Sequence, residues 1–336
     1  MTKNQIDELI SEGVFPEPTE HRKLLETHIS WVILCDRFVY KIKKPIKYSF
    51  LDFSTLERRK HFYERELVLN RRYSGNIYLG VLPIYEFQGQ FIIGGDEGRV
   101  VEYALKMSKL DPEKQMDVLV SQNKVSNLDI VNLARYIADF HEHAKIIYDT
   151  SGIDIGQEFN DLAGARSFLT ENLGSEYGDR IDSALKASGT FLRKNKKLLE
   201  DRLKMEFYRD VHGDLHTRNI FLLPDPQPFD CIEFNDKYRQ IDVLNEVAFL
   251  CMDLDALDRN DLSELFIEQY NRHFPAIRND KDKNLFIYYK AYRANVRAKV
   301  NSLRANSASN SADRKRALSE VKRYFELMED YLCSLK

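Results

Sequence analysis

The chain has 336 residues, 43% of them hydrophobic and 12% aromatic, enough for one large or two ordinary domains with real cores. Its formal charge of -3, from 50 basic and 53 acidic residues spread along the sequence, gives no basic surface for nucleic acid. No run approaches the ~20 apolar residues of a membrane helix, and the acidic first thirty residues lack the basic start and apolar stretch of a signal peptide, so a cytoplasmic protein without nucleic-acid or membrane partners is expected. Cys35, Cys231, Cys251 and Cys333 have no C-x-x-C spacing, which indicates neither a zinc site nor a disulfide framework.

In chain order, residues 5–12 and 20–27 read as short helical or turn segments. His28 to Leu34 and Arg37 to Ile42 are β-rich runs separated by Cys35-Asp36, a hairpin signal. Pro45 ends the second run. Ser54 to Tyr73 has helical periodicity, with Leu56, Phe62 and Leu69 among charges. Tyr78 to Phe87, Gln90 to Ile93 and Val100 to Met107 are three further strands, which completes an α+β lobe of antiparallel strands and one helix.

From Pro112 the texture changes to amphipathic helices over 113–122, 127–145, 158–172, 178–207, 240–258, 260–272, 283–304 and 313–334. The exception is a β-hairpin expected from Ile220 to Leu223 and Phe229 to Phe234, flanking Pro224-Asp225-Pro226-Gln227-Pro228. Asn306 to Asp313 is a polar loop or helix cap, too short for a linker between domains.

Just before that hairpin stands Val211-His212-Gly213-Asp214-Leu215-His216-Thr217-Arg218-Asn219. The H-x-D-x-x-x-x-N spacing is that of a kinase catalytic loop, where the Asp meets the substrate hydroxyl and the Asn holds Mg²⁺. The plainer alternative is that Asp214 caps a turn and Asn219 starts a strand, positions both residue types favour. Companions in the right order support the chemical reading: a lysine-bearing strand early, an acidic helix after it, and an acidic strand just beyond the loop.

With these residues in view, the sequence resembles the aminoglycoside phosphotransferase and choline kinase group of the protein-kinase-like superfamily, over about residues 28 to 304. The resemblance is carried by His28 to Trp31, Tyr40 to Pro45, Phe50 to Ser54, His212 to His216 and Asp230 to Asp236. It is nearest to bacterial aminoglycoside phosphotransferase family enzymes of unassigned substrate, some of which carry an extra nucleotide-binding domain. No G-x-x-x-x-G-K-[ST] occurs here, so such a P-loop domain is not expected in this chain. The implied architecture is a bilobal α+β fold: an N-terminal extension over 1–27, a nucleotide-binding lobe over 28–110, and a catalytic and substrate lobe over 111–336.

The implied activity is transfer of the ATP γ-phosphate to a hydroxyl of a small molecule, with ATP and Mg²⁺ as cofactors. Asp214 would orient the acceptor hydroxyl and take its proton, and Asn219 would bind Mg²⁺. Lys41 resembles the strand lysine that meets the phosphates, with Lys43 on the same face as the reserve and Glu66, rather than Glu64, as its partner. The second metal carboxylate is Glu233 or Asp230; three residues apart on an extended strand, they should point to opposite faces. Asp242 resembles a supporting Asp that accepts hydrogen bonds from the catalytic-loop backbone. His212 is expected to hold the same loop.

The first hairpin has no glycine-rich loop, so His28 and Ser30 are the candidate phosphate donors in its place. Adenine is expected beside Met107, on backbone groups near Lys106 to Lys109. On the helix from Tyr288 to Arg304, Tyr289, Arg293, Arg297 and Arg304 form a stripe that would meet an anionic substrate, although such stripes more often face water. His216 is as consistent with a surface side chain as with a functional one. A nucleotide-binding pseudokinase is the competing reading, and a protein kinase ranks last because no A-P-E segment or activation loop separates Glu233 from Asp242. An aminoglycoside acceptor would need clustered acids, and Asp253, Asp255 and Asp258 are not shown by sequence to converge.

Overall fold

Alternation along two neighbouring strands organises the first half of the chain. The computed structural model describes residues 1–48, 51–149, 154–308 and 310–335; Phe50, part of the segment running to Ser54, and Ser309, in the polar loop, lie outside them. Contacts divide the chain into two units, Met1–Lys114 with Gln227–Asp236, and Gln115–Pro226 with Lys237–Lys336.

In the first unit, α1 (Lys3–Glu12) precedes β1 (Lys23–Glu26), β2 (Ser30–Leu34), β3 (Phe38–Lys43) and a short ladder of β4 (Lys47–Tyr48) with β5 (Leu51–Asp52). Then come α2 (Leu56–Ser74), β6 (Tyr78–Phe87), β7 (Gln90–Ile93) and β8 (Arg99–Ser108). The main sheet has the order β1-β2-β3-β8-β6-β7 and is antiparallel throughout. Trp31, Ile33, Tyr40 and Ile42 share a core with Met1, Ile6, Leu9 and Phe15 of the α1 segment. Period-two alternation therefore turns Lys41 and Lys43 to the opposite face, toward α2.

Two sequence expectations are corrected here. Residues 1–27 are not a separate extension, because α1 and Phe15 complete the core of the first unit and Lys23–Glu26 is an edge strand. That strand is hard to see in sequence, being four residues of Lys, Leu, Leu and Glu, with none of the β-branched enrichment that marks strands. The second arm of the hairpin expected over 229–234 is also absent; only Ile220–Phe221 (β10) and Gln227–Pro228 (β11) are strand.

The backbone of 227–236 instead lies along α2. Ser74 Oγ donates to the Pro228 carbonyl at 2.5 Å, Cys231 N–H donates to Asn70 Oδ1 at 2.8 Å, and Arg65 Nε donates to the Glu233 carbonyl at 3.0 Å. Side chains spaced four and five apart on one helix face thus take the bonds a strand partner would have taken.

The second unit is mostly helical: α3 (Met116–Ser121), α4 (Asn127–His143), α5 (Ile155–Asn160), α6 (Arg166–Leu173), α7 (Glu176–Lys194), α8 (Lys196–Lys204), α9 (Val243–Ala256), α10 (Asn260–His273), α11 (Asp280–Ser307) and α12 (Ser311–Ser334). β9 (Tyr208–Asp210) pairs antiparallel with β12 (Gln240–Asp242), which runs straight into α9. Every residue of α9 is buried, so each polar side chain on it needs a partner inside the protein. Among the described residues no helix is long and apolar enough to cross a membrane.

Candidate active site

The catalytic-type loop leaves β9 and returns through β10, and α9 braces it. The Glu246 carboxylate accepts the N–H of His212 at 2.8 Å and that of Gly213 at 3.0 Å. Gly213 has φ +86°, a left-handed conformation that glycine adopts without steric cost. Arg293, on α11, donates to the Gly213 carbonyl at 3.1 Å and to Asn245 Oδ1 at 2.7 Å. Burial pushes the Glu246 carboxyl up to about 7, against the lowering effect of Arg293 and the two N–H groups.

The loop support expected of Asp242 therefore falls to Glu246. Asp242 is committed elsewhere, to a buried bidentate pair with Arg202 at 2.5 and 2.8 Å and to the N–H of Leu244 at the start of α9. Arg202 also reaches Asp282 at 2.9 Å. This cluster ties α8, α9 and α11 together and has a structural part only.

On the loop, Asn219 Nδ2 donates to Asp214 Oδ2 at 2.9 Å and to the Asp214 carbonyl at 3.1 Å. With its nitrogen so used, the amide turns Oδ1 the other way, as an acceptor for a cation. His216 Nε2 stands 3.4 Å from Asp214 Oδ2, and its ring packs against Phe249, so it is a buried neighbour of Asp214 rather than a surface residue. Burial alone would raise the Asp214 carboxyl, but His216, Arg297 and His212 outweigh it and hold the group well below the usual carboxylate range. Thr217 donates through N and Oγ1 to Asp253, at 3.0 and 2.6 Å.

The first unit carries a second cluster. Glu66, buried on α2, takes Lys41 on one carboxylate oxygen at 2.8 Å and Lys43 on the other at 2.5 Å. Lys41 also meets Asp230 at 2.6 Å, and Lys43 meets Glu233 at 2.5 Å. Glu64, by contrast, is exposed and paired with Lys60 at 3.7 Å.

The expectation that Asp230 and Glu233 point apart is corrected, since both reach this cluster. The reason is local: Asp230 has φ +64°, so the segment is not extended, and its N–H donates to the Tyr78 hydroxyl at 2.9 Å. Burial raises the Glu66 carboxyl, but the two lysines outweigh it and hold it at about 2. Burial and the nearby Glu66 push Glu233 upward despite Lys43 and Lys41. Burial would also lower the Lys41 ammonium, and Asp230, Glu66 and Glu233 more than reverse that.

The remaining candidates lie apart from these contacts. His28 is exposed in the turn between β1 and β2, where Ser30 N–H donates to Thr27 Oγ1 at 2.9 Å. The Ser30 N–H is therefore already used, while its hydroxyl is buried without a partner. Met107, on β8, stands opposite Val39 and Tyr78 and packs near Tyr63 and Leu105. The N–H groups of Ser108 and Lys109 bond Ile77 and Arg37, so these two backbone donors near Met107 are engaged within the unit.

Among the described residues no group of three or more His, Cys, Asp or Glu side chains is arranged to hold a metal. A nucleotide-bound Mg²⁺ asks less of a protein, one or two carboxylates with phosphates and water supplying the rest; taken unit by unit, Asn219 is an oxygen donor of that kind in one, and Glu233 and Asp230 are in the other.

Solved structures of similar fold include small-molecule kinases. A choline kinase from Cryptosporidium parvum Iowa II superposes with a TM-score of 0.58 at 11% identity, covering 94% of this chain and 90% of that one. A choline/ethanolamine kinase family protein from Mesorhizobium loti gives 0.56 at 12% identity over 99% and 98% of the two chains. The GDP and kanamycin complex of APH(2″)-IIIa gives 0.56 at 13% identity over 99% of both. The fold is that of the protein-kinase-like phosphotransferases.

Within that kinase-like fold the chain is also 31% identical over 288 residues to uncharacterized proteins of Mycobacterium bovis and Mycobacterium tuberculosis, covering 83% of this chain and 54% of theirs. The chain spans about half the length of these curated relatives. No family model matches it.

Proposed function

We propose that the chain transfers the γ-phosphoryl group of ATP to a hydroxyl of a small molecule. The observation that carries this reading is Asp214 bonded through Oδ2 to the amide of Asn219, on a loop braced by Glu246 and Arg293. The acceptor oxygen attacks the γ-phosphorus, the bond to the β–γ bridging oxygen breaks, ADP leaves, and the acceptor proton passes to Asp214. A carboxylate held so far below its usual range is a weak base. It suits a loose transition state, in which the hydroxyl is oriented first and its proton lost late.

Lys41 is the phosphate cation, positioned by Glu66 and released by Asp230 when phosphate oxygens take its place. Lys43, with no solvent exposure, holds the cluster together. Mg²⁺, held by the Asn219 oxygen and Glu233, with Asp230 as the alternative ligand, would neutralise charge on the β- and γ-phosphates. We assign His28, in the β1–β2 turn, and the hydroxyl of Ser30, at the start of β2, to the phosphates, and Met107 to the adenine.

The test is an acceptor screen with ATP and Mg²⁺, read by mass for an added phosphate, beside Asp214→Asn. Loss of a proton acceptor at this position should cost on the order of a thousandfold in transfer. Transfer by the variant at the wild-type rate would sink the assignment. A pseudokinase is the second reading, favoured by the ion pairs already occupying Lys41 and by the absence of a glycine loop. Nucleotide-induced thermal stabilisation without transfer to any acceptor would support it.

A further inference from the structure

Two arginines of the α11 stripe do not face water. Arg293 and Arg297 are only 6% and 9% exposed. Arg293 is accounted for by Gly213 and Asn245. Arg297, one helical turn further along the same face, is not: its Nε is sealed from solvent with no acceptor, and among the described residues no carboxylate lies within ion-pair distance. Its nearest aromatic neighbour is Tyr324, whose ring centroid is 5.4 Å from the guanidinium carbon.

A buried guanidinium with an unmet donor is expensive to keep, and such a group calls for a partner. The acids around it are already engaged. Asp253 accepts from Thr217 twice and from the Tyr324 hydroxyl at 3.0 Å, and Asp214 is bonded to Asn219 with His216 beside it. Tyr324 is the foremost partner of the Arg297 cation, through its hydroxyl, and Asp253 and Asp214 act on it as attractive charges without forming an ion pair; none of them takes the Nε–H.

We propose that the acceptor alcohol also bears an oxyanion, a carboxylate or phosphate, which the Arg297 guanidinium binds beside Asp214. The inference rests on the phosphotransferase reading above and names its substrate class. The planar fork of an arginine matches such a group through two parallel hydrogen bonds. A cationic acceptor is poorly served by the same surroundings. The basic groups next to Asp214 are His216, His212 and Arg297, Asp253 is committed, and Asp255 is taken by Lys290 and Tyr331. An ammonium there would meet like charge.

The experiment compares matched acceptors under ATP and Mg²⁺: glycerol, glycerate, glycerol 3-phosphate and choline; glucose, gluconate, glucose 6-phosphate and glucosamine. The wild type should phosphorylate oxyanion-bearing members in preference to neutral and cationic ones, and the carboxylate and phosphate arms identify which oxyanion is read. Arg297→Gln should lower the ratio of kcat/KM for the best oxyanion acceptor to that of its neutral counterpart by on the order of a hundredfold, with Arg297→Lys recovering part of it.

A purely structural role, or contact with the transferred phosphoryl group, would depress all acceptors alike and leave that ratio unmoved, which overturns the proposal. Transfer by the wild type to choline or glucosamine in preference to the anionic members overturns it too, even if the variants fail to fold, while the kinase reading stands. Absence of any Asp214-dependent transfer removes both.

Discussion

Lys43 and Glu233 meet at 2.5 Å with the lysine wholly, and the glutamate almost wholly, shut off from solvent. The neighbouring lysine, Lys41, retains 14% exposure, and its partner Asp230 retains 45%. Two lysines separated by one residue on one strand thus have different work, and substitution separates them.

Replacing Lys43 by Met leaves Glu66 sharing one ammonium and Glu233 with none, in a place water does not reach. Breaking a buried pair in this way should cost about 3–5 kcal/mol, read as a lower midpoint in urea unfolding. Lys41→Met should cost much less stability and instead weaken nucleotide binding about 10- to 100-fold, as loss of a charged hydrogen bond does. The reverse pattern, with Lys41 structural and Lys43 felt by nucleotide, would exchange their roles.

The cluster holds three carboxylates against two ammoniums, and Glu233 is the member that burial and Glu66 push upward. A divalent cation is attracted to that excess. Glu233→Gln is expected to raise the Mg²⁺ concentration needed for half-maximal transfer about tenfold or more. Asp230→Asn, which frees Lys41, should tighten nucleotide binding a few-fold with little change in the Mg²⁺ requirement. Metal titrations giving the opposite assignment would make Asp230 the ligand.

Glu246 gives the loop a pH dependence. Its carboxyl, at about 7 when folded against an ordinary value of 4.5, favours the protonated form in the native state. Its contribution is therefore fully present below about pH 4.5 and is lost as pH rises through about 7, a difference of about 3 kcal/mol as an upper estimate. Glu246→Gln keeps an acceptor oxygen for the loop N–H groups but does not titrate. The stability of the variant relative to wild type should rise between pH 5 and pH 8 in paired denaturant titrations, and a flat difference would show that Glu246 stays ionised throughout.

What could be read in the sequence was set by distance along the chain. Asp214 and Asn219 are five residues apart on one loop, and the order of strand and helix pointed to Lys41 and Glu66, which the structure brings together. The geometry of Asp230 and Glu233 was not legible, because it depends on a left-handed aspartate and on side chains of α2 that replace a strand partner. Glu246 was missed in favour of Asp242, four residues before it. A usable signal was present: Glu246, Asp253 and Asp255 interrupt an apolar helix too continuous to have a wet face, and an acid on such a helix must have an internal partner. The burial of Arg297 was not legible either, since a basic stripe on one helix looks the same whether it faces solvent or packed side chains.

The stitching of residues 227–236 along α2 has a consequence for how the protein comes into being. The sheet-bearing unit cannot be completed when its strands have been made; Lys43 and Glu66 wait for a glutamate that emerges from the ribosome nearly two hundred residues after the lysine. Until then an ammonium and a carboxylate destined for burial lack the full set of charges that balances them. A fragment ending at Lys114 would carry every strand of the main sheet and still lack the segment 227–236 that completes its own unit.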